Sequence, residues 1–242
     1  MTMLEVEGLN VSYGDIQIIR GVDLTADAGQ LTAIFGPNGH GKSTLLKSIC
    51  GLVPATSGIV RVDGEEVQGR PTDQLVARGI VLVAEDRHLF PEMTVMENLR
   101  LGAFSRAARS SEDANLKLVF DMFPKLADLR RREAATLSGG EARMLAIGRG
   151  LMSSPRLLAV DEPSFGLVPK MRHVVFDCLR QLADNGLTVL VVEQSTGRIS
   201  ELADQVYLIE DGAVVFGGDT AAALQNEEFK RVYLGQGPGG VE

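Results

Sequence analysis

A glycine-rich run near the amino terminus has the residue types and spacing of a phosphate-binding loop (P-loop). An apolar stretch, QLTAIFG at 30–36, leads into it, and a helical pattern follows from Lys42. Glycines let backbone N–H groups turn around phosphate oxygens, a lysine reaches the β- and γ-phosphates, and a serine hydroxyl ligates Mg²⁺. The pattern therefore predicts a nucleoside triphosphate site. Its residues are Gly36, Pro37, Asn38, Gly39, His40, Gly41, Lys42, Ser43 and Thr44.

Two adjacent carboxylates, Asp161 and Glu162, end a second apolar run, RLLAVDE at 156–162. Because ligands of α/β proteins bind at the carboxyl edge of the sheet, this position favours a role in the site. One carboxylate suits Mg²⁺ through its water shell, and the next can polarise an attacking water. We expect Asp161 to serve the metal and Glu162 to act as general base or to orient water. A solvated acidic turn is the alternative.

A second candidate anion site is formed by Ser138, Gly139 and Gly140, which precede the helical run ARMLAIGRGLM. A serine caps a helix N-terminus, and the N–H groups there attract anions. Two glycines lower helix propensity, which makes more sense where a phosphate approaches the backbone closely. The pattern predicts a second phosphate-binding tip. A plain helix cap would explain Ser138 alone.

The elements that must position these motifs alternate along the chain. Short apolar runs rich in branched residues are typical of buried parallel strands. Helical patterns at 42–52 and 171–185 lie between them, which predicts an α/β sheet covered on both faces. The four predicted strands are 30–36, 79–85, 156–162 and 187–194.

Two hairpins depart from this alternation. Segments before residue 67 predict an antiparallel sheet beside the parallel one, with a turn at Asp63 and Gly64. A later hairpin is predicted at Asp211 and Gly212. Aspartate followed by glycine between apolar runs is a strong hairpin signal, because both positions adopt positive φ readily.

A helical subdomain is predicted at about 91–152, where helical periodicity replaces the strand signals. The remaining residues, 1–90 and 153–242, then form a core plus the β-subdomain of one composite domain. The glycine-rich end at 235–240 is expected to be a frayed tail.

The composition excludes several classes of protein. The 242 residues are 45% hydrophobic and 23% charged, as in ordinary folded chains. The formal net charge of −8 argues against binding to nucleic acid. The acidic N-terminus lacks signal-peptide features, and no apolar run approaches the length of a membrane span. We therefore expect a cytoplasmic protein that reaches a membrane only through another protein.

Three motifs in order, GPNGHGKST, LSGGE and LLAVDEP, resemble the nucleotide-binding subunits of ABC transporters, over essentially the whole chain. The resemblance implies a P-loop NTPase (RecA-like) core with an antiparallel β-subdomain and a helical subdomain. It implies hydrolysis of ATP with Mg²⁺, with Lys42, Glu162 and Gln194 as the catalytic residues. DNA-maintenance and translation ATPases of similar fold would need long inserted arms or a second cassette. A non-transport ATP-binding regulatory protein stays open.

The resemblance also implies a pair of ATPase subunits, identical or paralogous, with two ATP molecules between them. The tip at 138–140 of one subunit would face the P-loop of the other. Tyr13 is implied to stack on adenine, and the segment 164–167 falls where the family has the D-loop that connects the two sites.

Membrane partners follow from the same resemblance. Permease subunits would insert a cytoplasmic helix between the helical subdomain and the core, beside the loop 85–91. The chain would then lie on the inner face of the cell membrane. A periplasmic solute-binding protein would be an indirect partner.

Two positions depart from the common family pattern. Glu85 stands where most members have glutamine, and Gln194 stands where most have a histidine. With the C-terminal sequence, these features look like one of the two ATPase subunits of branched-chain amino acid importers, with a urea or short-amide importer as near neighbour. Gln194 can hydrogen-bond a γ-phosphate but carries no positive charge, so we expect a weaker site that works opposite a paralogue. Glu85 either ligates the metal or couples nucleotide state to the helical subdomain.

His40 is a third departure, at a P-loop position where the family usually has alanine. Its backbone N–H can still serve a phosphate. The side chain is expected to face solvent or an interface, and a protonated imidazole near phosphate is the alternative.

Overall fold

The computed structural model describes residues 1–194, 197–223, 225–226 and 229–230. The tail predicted at 235–240 lies outside these residues. The strands are β1 (Thr2–Tyr13), β2 (Ile16–Asp27), β3 (Leu31–Phe35), β4 (Ser57–Val62), β5 (Glu65–Glu66), β6 (Ile80–Val83), β7 (Leu157–Asp161), β8 (Thr188–Glu193), β9 (Gln205–Glu210) and β10 (Ala213–Asp219). The helices are α1 (Lys42–Ile49), α2 (Thr72–Ala77), α3 (Val95–Gly102), α4 (Arg106–Ser110), α5 (Glu112–Met122), α6 (Pro124–Asp128), α7 (Gly139–Leu151), α8 (Pro169–Asp184), α9 (Gly197–Leu202) and α10 (Thr220–Ala223), with a 3₁₀ turn at Ala134–Thr136.

The larger sheet has the strand order β10-β9-β3-β8-β7-β6, and all of its strands except β10 run parallel. Every residue of β3, β7 and β8 is buried, because both faces of the sheet are covered. The predicted α/β architecture is confirmed. The carboxyl ends of these three strands lie side by side at one edge, which is where parallel sheets bind ligands.

Alternate residues of β3 enter two separate cores. Leu31, Ala33 and Phe35 pack with residues of the helices from α3 to α9. Ile34 points the other way, into a core shared with β1, β2, β4 and α1. This alternation follows from the two-residue period of a strand. The P-loop, which follows β3, is thereby supported on both sides by packed elements.

The smaller sheet is antiparallel, with the order β2-β1-β4-β5. Both predicted hairpins are confirmed. Val62 pairs with Glu65 around Asp63 and Gly64, and Glu210 pairs with Ala213 around the second turn. Arg20 N donates to Gly212 O over 2.8 Å, so the second hairpin is attached to β2.

Helices α3 to α7 fall within the segment predicted as the helical subdomain. Gly148 lets α7 approach its neighbours closely, since an added Cβ would lie 2.9 Å from Val119 Cγ1 and 3.1 Å from Leu99 Cδ2. The buried amide of Asn98 exchanges hydrogen bonds with the backbone of Phe90, which ties the start of the subdomain to α3. Within the described ranges, no helix has the length and hydropathy to cross a bilayer.

Candidate nucleotide-binding site

The P-loop joins the end of β3 to the start of α1 through two positions that require glycine. Gly41 is the N-cap of α1 and has φ of 94°, a left-handed conformation that glycine adopts without strain. At Gly36 an added Cβ would lie 2.2 Å from Ile209 O, so no larger residue fits there. The loop therefore delivers backbone N–H groups and the N-terminus of α1 to the ligand-binding edge of the sheet.

The Lys42 side chain is buried beside the loop. Its Nζ donates to Gly36 O over 2.8 Å and to Pro37 O over 3.1 Å. The same Nζ lies 3.4 Å from Glu162 Oε1. The structure thus brings together the predicted phosphate-binding lysine and the predicted hydrolytic carboxylate, which come from separate parts of the chain.

Ser43 and Asp161 provide two oxygen ligands at the same edge. Ser43 Oγ donates to Asp161 Oδ1 over 2.9 Å. Burial raises the pKa of Asp161, and the neighbouring charges of Glu162 and Glu85 act in the same direction. A bound cation would therefore stabilise the ionised form of Asp161. The described residues contain no cage of three or more metal-ligating side chains. A hydroxyl and a carboxylate oxygen are the kinds of ligand that suit Mg²⁺, which keeps several waters and shares phosphate ligands. Ser43 and Asp161 would hold it.

Glu162 is held in an uncommon backbone conformation, with φ of 44°. Its N–H donates to Val192 O over 3.0 Å, and its Oε2 accepts the Gln194 N–H over 3.2 Å. A non-glycine residue at positive φ is costly and persists where its surroundings enforce it. The end of β8 therefore fixes the direction of the Glu162 carboxylate.

A cavity of about 410 Å³ lies among these residues. Glu85 and the exposed Gln194 line it, so both unusual family positions face the P-loop. Sequence analysis missed the apolar lining residue Ile18, whereas Phe165 belongs to the segment 164–167 that the resemblance had singled out. The described lining consists of Ile18, Asn38, Gly39, Gly41, Lys42, Ser43, Thr44, Glu85, Glu162, Phe165 and Gln194.

Tyr13 lies at the end of β1 with half of its surface exposed. It is absent from the described lining of the cavity, where Ile18 of the next strand takes part. Its stacking on adenine stays a prediction.

His40 is attached to the second hairpin. Its Nδ1 accepts the Asp211 N–H over 2.8 Å. The side chain is about one quarter exposed and is absent from the described cavity lining. The imidazole thus joins the P-loop to the β9–β10 turn, a contact between distant residues that sequence analysis did not foresee.

The tip at Ser138, Gly139 and Gly140 begins α7, outside the described lining of this chain's cavity. The Glu141 N–H donates to Ser138 Oγ over 3.4 Å, and the Ser138 N–H donates to Glu141 Oε2 over 2.9 Å. This reciprocal capping box orders the tip. Its contact with the P-loop of a second subunit stays a prediction.

Two buried charged residues near the site were also missed. Arg143 of α7 is fully buried and donates to Ala84 O over 3.2 Å and to Glu85 O over 3.1 Å, so α7 is attached to the Glu85 segment. Burial lowers the pKa of Arg143. Glu193 is 1% exposed, and burial raises its pKa to about 8. Charged residues in a helix or strand are usually exposed, so no sequence signal marked them.

A glycine loop, a buried lysine and a carboxylate at the end of a strand line one cavity, and together they define a P-loop nucleotide-hydrolysing protein. The family model described as ABC transporter matches residues 19–165. The chain belongs to this family, and it is an ATPase coupled to transport.

Relatives match over nearly their whole length. The high-affinity branched-chain amino acid transport ATP-binding protein BraG of Pseudomonas aeruginosa is 40% identical, across 96% of this chain and 100% of BraG. The probable branched-chain amino acid transport ATP-binding protein LivF of Archaeoglobus fulgidus is 37% identical, across 96% of this chain and 99% of LivF. BraF of P. aeruginosa, with the same descriptive name as BraG, is 31% identical, across 97% and 98%.

Solved structures show the same fold. An ATP-binding cassette of an ABC transporter in its ADP conformation has a TM-score of 0.86 at 28% identity, covering 98% of this chain and 100% of that one. A dimeric bacterial ABC transporter cassette has a TM-score of 0.78 at 26% identity, covering 90% and 99%. The predicted P-loop NTPase fold is thereby confirmed.

Proposed function

We propose that this chain is the ATP-hydrolysing subunit of an importer for branched-chain amino acids. The observation that carries the proposal is the 40% identity along the entire length of BraG, which is named for that transport. Lys42, Ser43 and Glu162 line one cavity, and Asp161 is hydrogen-bonded to Ser43; this arrangement supports hydrolysis as the source of energy.

Each site residue then has a role in phosphoryl transfer to water. The P-loop N–H groups and Lys42 bind the β- and γ-phosphates and stabilise their charge. Ser43 and Asp161 would hold Mg²⁺, which would supply positive charge against the phosphate oxygens. Glu162 orients the attacking water and accepts its proton, since its carboxylate is held at the cavity by the Gln194 N–H. The Gln194 amide donates a hydrogen bond toward the γ-phosphate.

A paralogous ATPase subunit is the proposed partner. The chain is 40% identical to BraG and 31% identical to BraF, two ATP-binding proteins of one organism. The solved cassette dimer supports pairing of such subunits. Ser138 and Gly140 of the partner would cover the γ-phosphate bound by Lys42, and the pair would close around two ATP molecules. Closure excludes water other than the nucleophile and converts ATP binding into movement.

The permease is proposed to dock in a groove between the helical subdomain and the core, at the cytoplasmic face of the membrane. A cavity of about 290 Å³ there is lined by Phe90, Leu101 and Phe104, all of them exposed. Arg149 donates to His88 O and Arg87 O, both over 2.8 Å, and fixes the groove's loop. An amphipathic helix can insert its apolar face into such a groove. A periplasmic solute-binding protein would deliver the amino acid.

Transport in proteoliposomes tests the function. The chain is co-expressed with permeases, a second ATPase and a binding protein of this importer class, and ATP-dependent uptake of labelled leucine is compared with uptake of urea. We expect leucine uptake that Lys42→Ala abolishes. Uptake of urea alone would identify the neighbouring importer class, and ATP hydrolysis without uptake of either would contradict amino acid import.

Docking has its own test. Phe104→Asp places a charge in the apolar groove and should prevent co-purification with the permeases. Leu52→Asp is the matched control, because Leu52 is equally exposed but lies outside the groove lining. Equal recovery of the permeases with both variants would contradict docking in this groove.

A further inference from the structure

The carboxylate of Glu193 is buried at the end of β8, beside the hydrolytic site. Its Oε1 accepts the Ser164 N–H over 2.8 Å, and its Oε2 accepts the Ser164 hydroxyl over 3.0 Å. Both residues are almost entirely buried. Glu193 of β8 thus binds both the backbone N–H and the hydroxyl of Ser164.

This contact completes a set of hydrogen bonds between two strand ends. Glu162 N donates to Val192 O, and Gln194 N donates to Glu162 Oε2. Ser164, two residues after Glu162, adds the bonds to Glu193, which lies between Val192 and Gln194. Phe165 follows Ser164 directly and lines the nucleotide cavity. The turn that carries Glu162 into the cavity is therefore held at both of its ends by β8.

Burying the carboxyl group of Glu193 at the end of β8 costs free energy of folding. Burying it away from water disfavours folding unless its oxygens are hydrogen-bonded, and an apolar side chain would serve the strand better. Without Glu193, the buried Ser164 N–H would lose its acceptor, so the turn would have to open or shift. The two hydrogen bonds to Ser164 offset part of that cost.

We infer that Glu193 is a positioning residue for ATP hydrolysis, which holds Ser164 and thereby keeps the turn at 162–165 in the conformation that directs Glu162 at the nucleotide. The inference rests on the proposed role of Glu162. Misplacing a reacting group by about 1 Å costs on the order of a hundredfold in rate, so the effect falls on turnover rather than on nucleotide affinity.

The test compares Glu193→Ala with Glu193→Gln in steady-state ATP hydrolysis by the full chain in the reconstituted transporter. Alanine removes both acceptors, and we expect kcat to fall by about tenfold or more while KM for ATP stays within about threefold. Glutamine keeps the contact, because its carbonyl accepts the Ser164 N–H and its amide donates to the hydroxyl; its kcat should stay within about twofold. Normal kcat in Glu193→Ala, or an equal loss in both variants, would overturn the inference.

A matched control separates positioning from stability. Asp204 also accepts a backbone N–H, from Leu31 at the start of the buried strand β3 over 2.8 Å, but at the opposite edge of the sheet; it pairs with Arg180 as well. Asp204→Ala should lower the melting temperature and leave kcat within about twofold. A kcat loss in Asp204→Ala as large as that in Glu193→Ala would make the effect one of stability and would also overturn the inference.

Two further variants keep the outcome decisive. If Glu193→Ala does not fold, Ser164→Ala removes only the hydroxyl bond and should still lower kcat by about threefold at unchanged KM; an unchanged kcat overturns the inference.

Glu162→Gln reports separately on the proposed function. An active Glu162→Gln would refute the hydrolytic role itself, whereas an inactive Glu162→Gln with a normal Glu193→Ala refutes only the positioning role.

Discussion

Lys42 Nζ lies 3.4 Å from Glu162 Oε1, and the two side chains are only 4% and 10% exposed. The residues are far apart in the chain, one at the start of α1 and the other after β7. A buried charge that loses its partner is strongly destabilising. The pair therefore links phosphate binding, hydrolysis and folding of the site.

Lys42→Ala should abolish ATP binding, because the β- and γ-phosphates lose their cation. It should also lower the free energy of unfolding by about 3 kcal/mol, since Glu162 is left buried without its partner. Equilibrium binding of a fluorescent ATP analogue and urea unfolding measure the two effects. Lys117→Ala is the control, because Lys117 is exposed on α5 and pairs only with Asp121 among the described residues. Wild-type ATP affinity in Lys42→Ala would contradict the assignment.

Glu162→Gln should lower ATP hydrolysis by about a hundredfold or more, because the amide cannot accept a proton from water. ATP should still bind, so a nucleotide-bound dimer is expected to accumulate in size-exclusion chromatography with MgATP. Glu65→Gln, an exposed change in β5, should behave as wild type. An undiminished hydrolysis rate in Glu162→Gln would refute its assignment as the base.

Ser138→Ala separates helix capping from nucleotide contact. The chain has a second capping box of the same design at α3, in which Thr94 bonds with Glu97. Removing either cap should lower the free energy of unfolding by about 1 kcal/mol. ATP-dependent dimerisation should weaken in Ser138→Ala but not in the matched variant Thr94→Ala. Analytical ultracentrifugation of both variants with MgATP measures it. Equal dimerisation of both variants would leave Ser138 as a plain helix cap.

Glu193 should make stability depend on pH. Burial raises its pKa from 4.5 to about 8, so between these values the folded chain binds more protons than the unfolded chain. The Glu193 contribution to the free energy of unfolding is therefore complete below about pH 4.5 and is lost as pH rises through about 8. Glu193→Gln removes this dependence, so its stability relative to wild type should increase with pH. Parallel pH profiles in urea unfolding would contradict the burial argument.

Much of the fold follows from local patterns. The parallel strands, the two hairpins and the start of α1 were predicted because each depends on residues close in the chain, such as Asp63 beside Gly64 or branched residues in a short run. Lys42, Ser43 and Asp161 were predicted for the same reason, since their motifs are contiguous and follow strands whose carboxyl ends share an edge.

Contacts between distant residues were not predictable in this way. The bond from Asp211 to His40 depends on where the second hairpin packs, and the burial of Arg143 depends on where α7 meets the Glu85 segment. In each case the packing of whole elements determines which residues meet, so the sequence around either residue does not predict the contact.

By itself, the sequence determined the chemical groups of this protein and the strand and helix ends at which they stand, because backbone propensity and glycine conformation act over a few residues. Only the tertiary structure decided that Lys42 meets Glu162 and that Glu193 holds Ser164. Those contacts depend on the order in which β3, β8 and β7 lie in the sheet, which is set by burial of both faces at once.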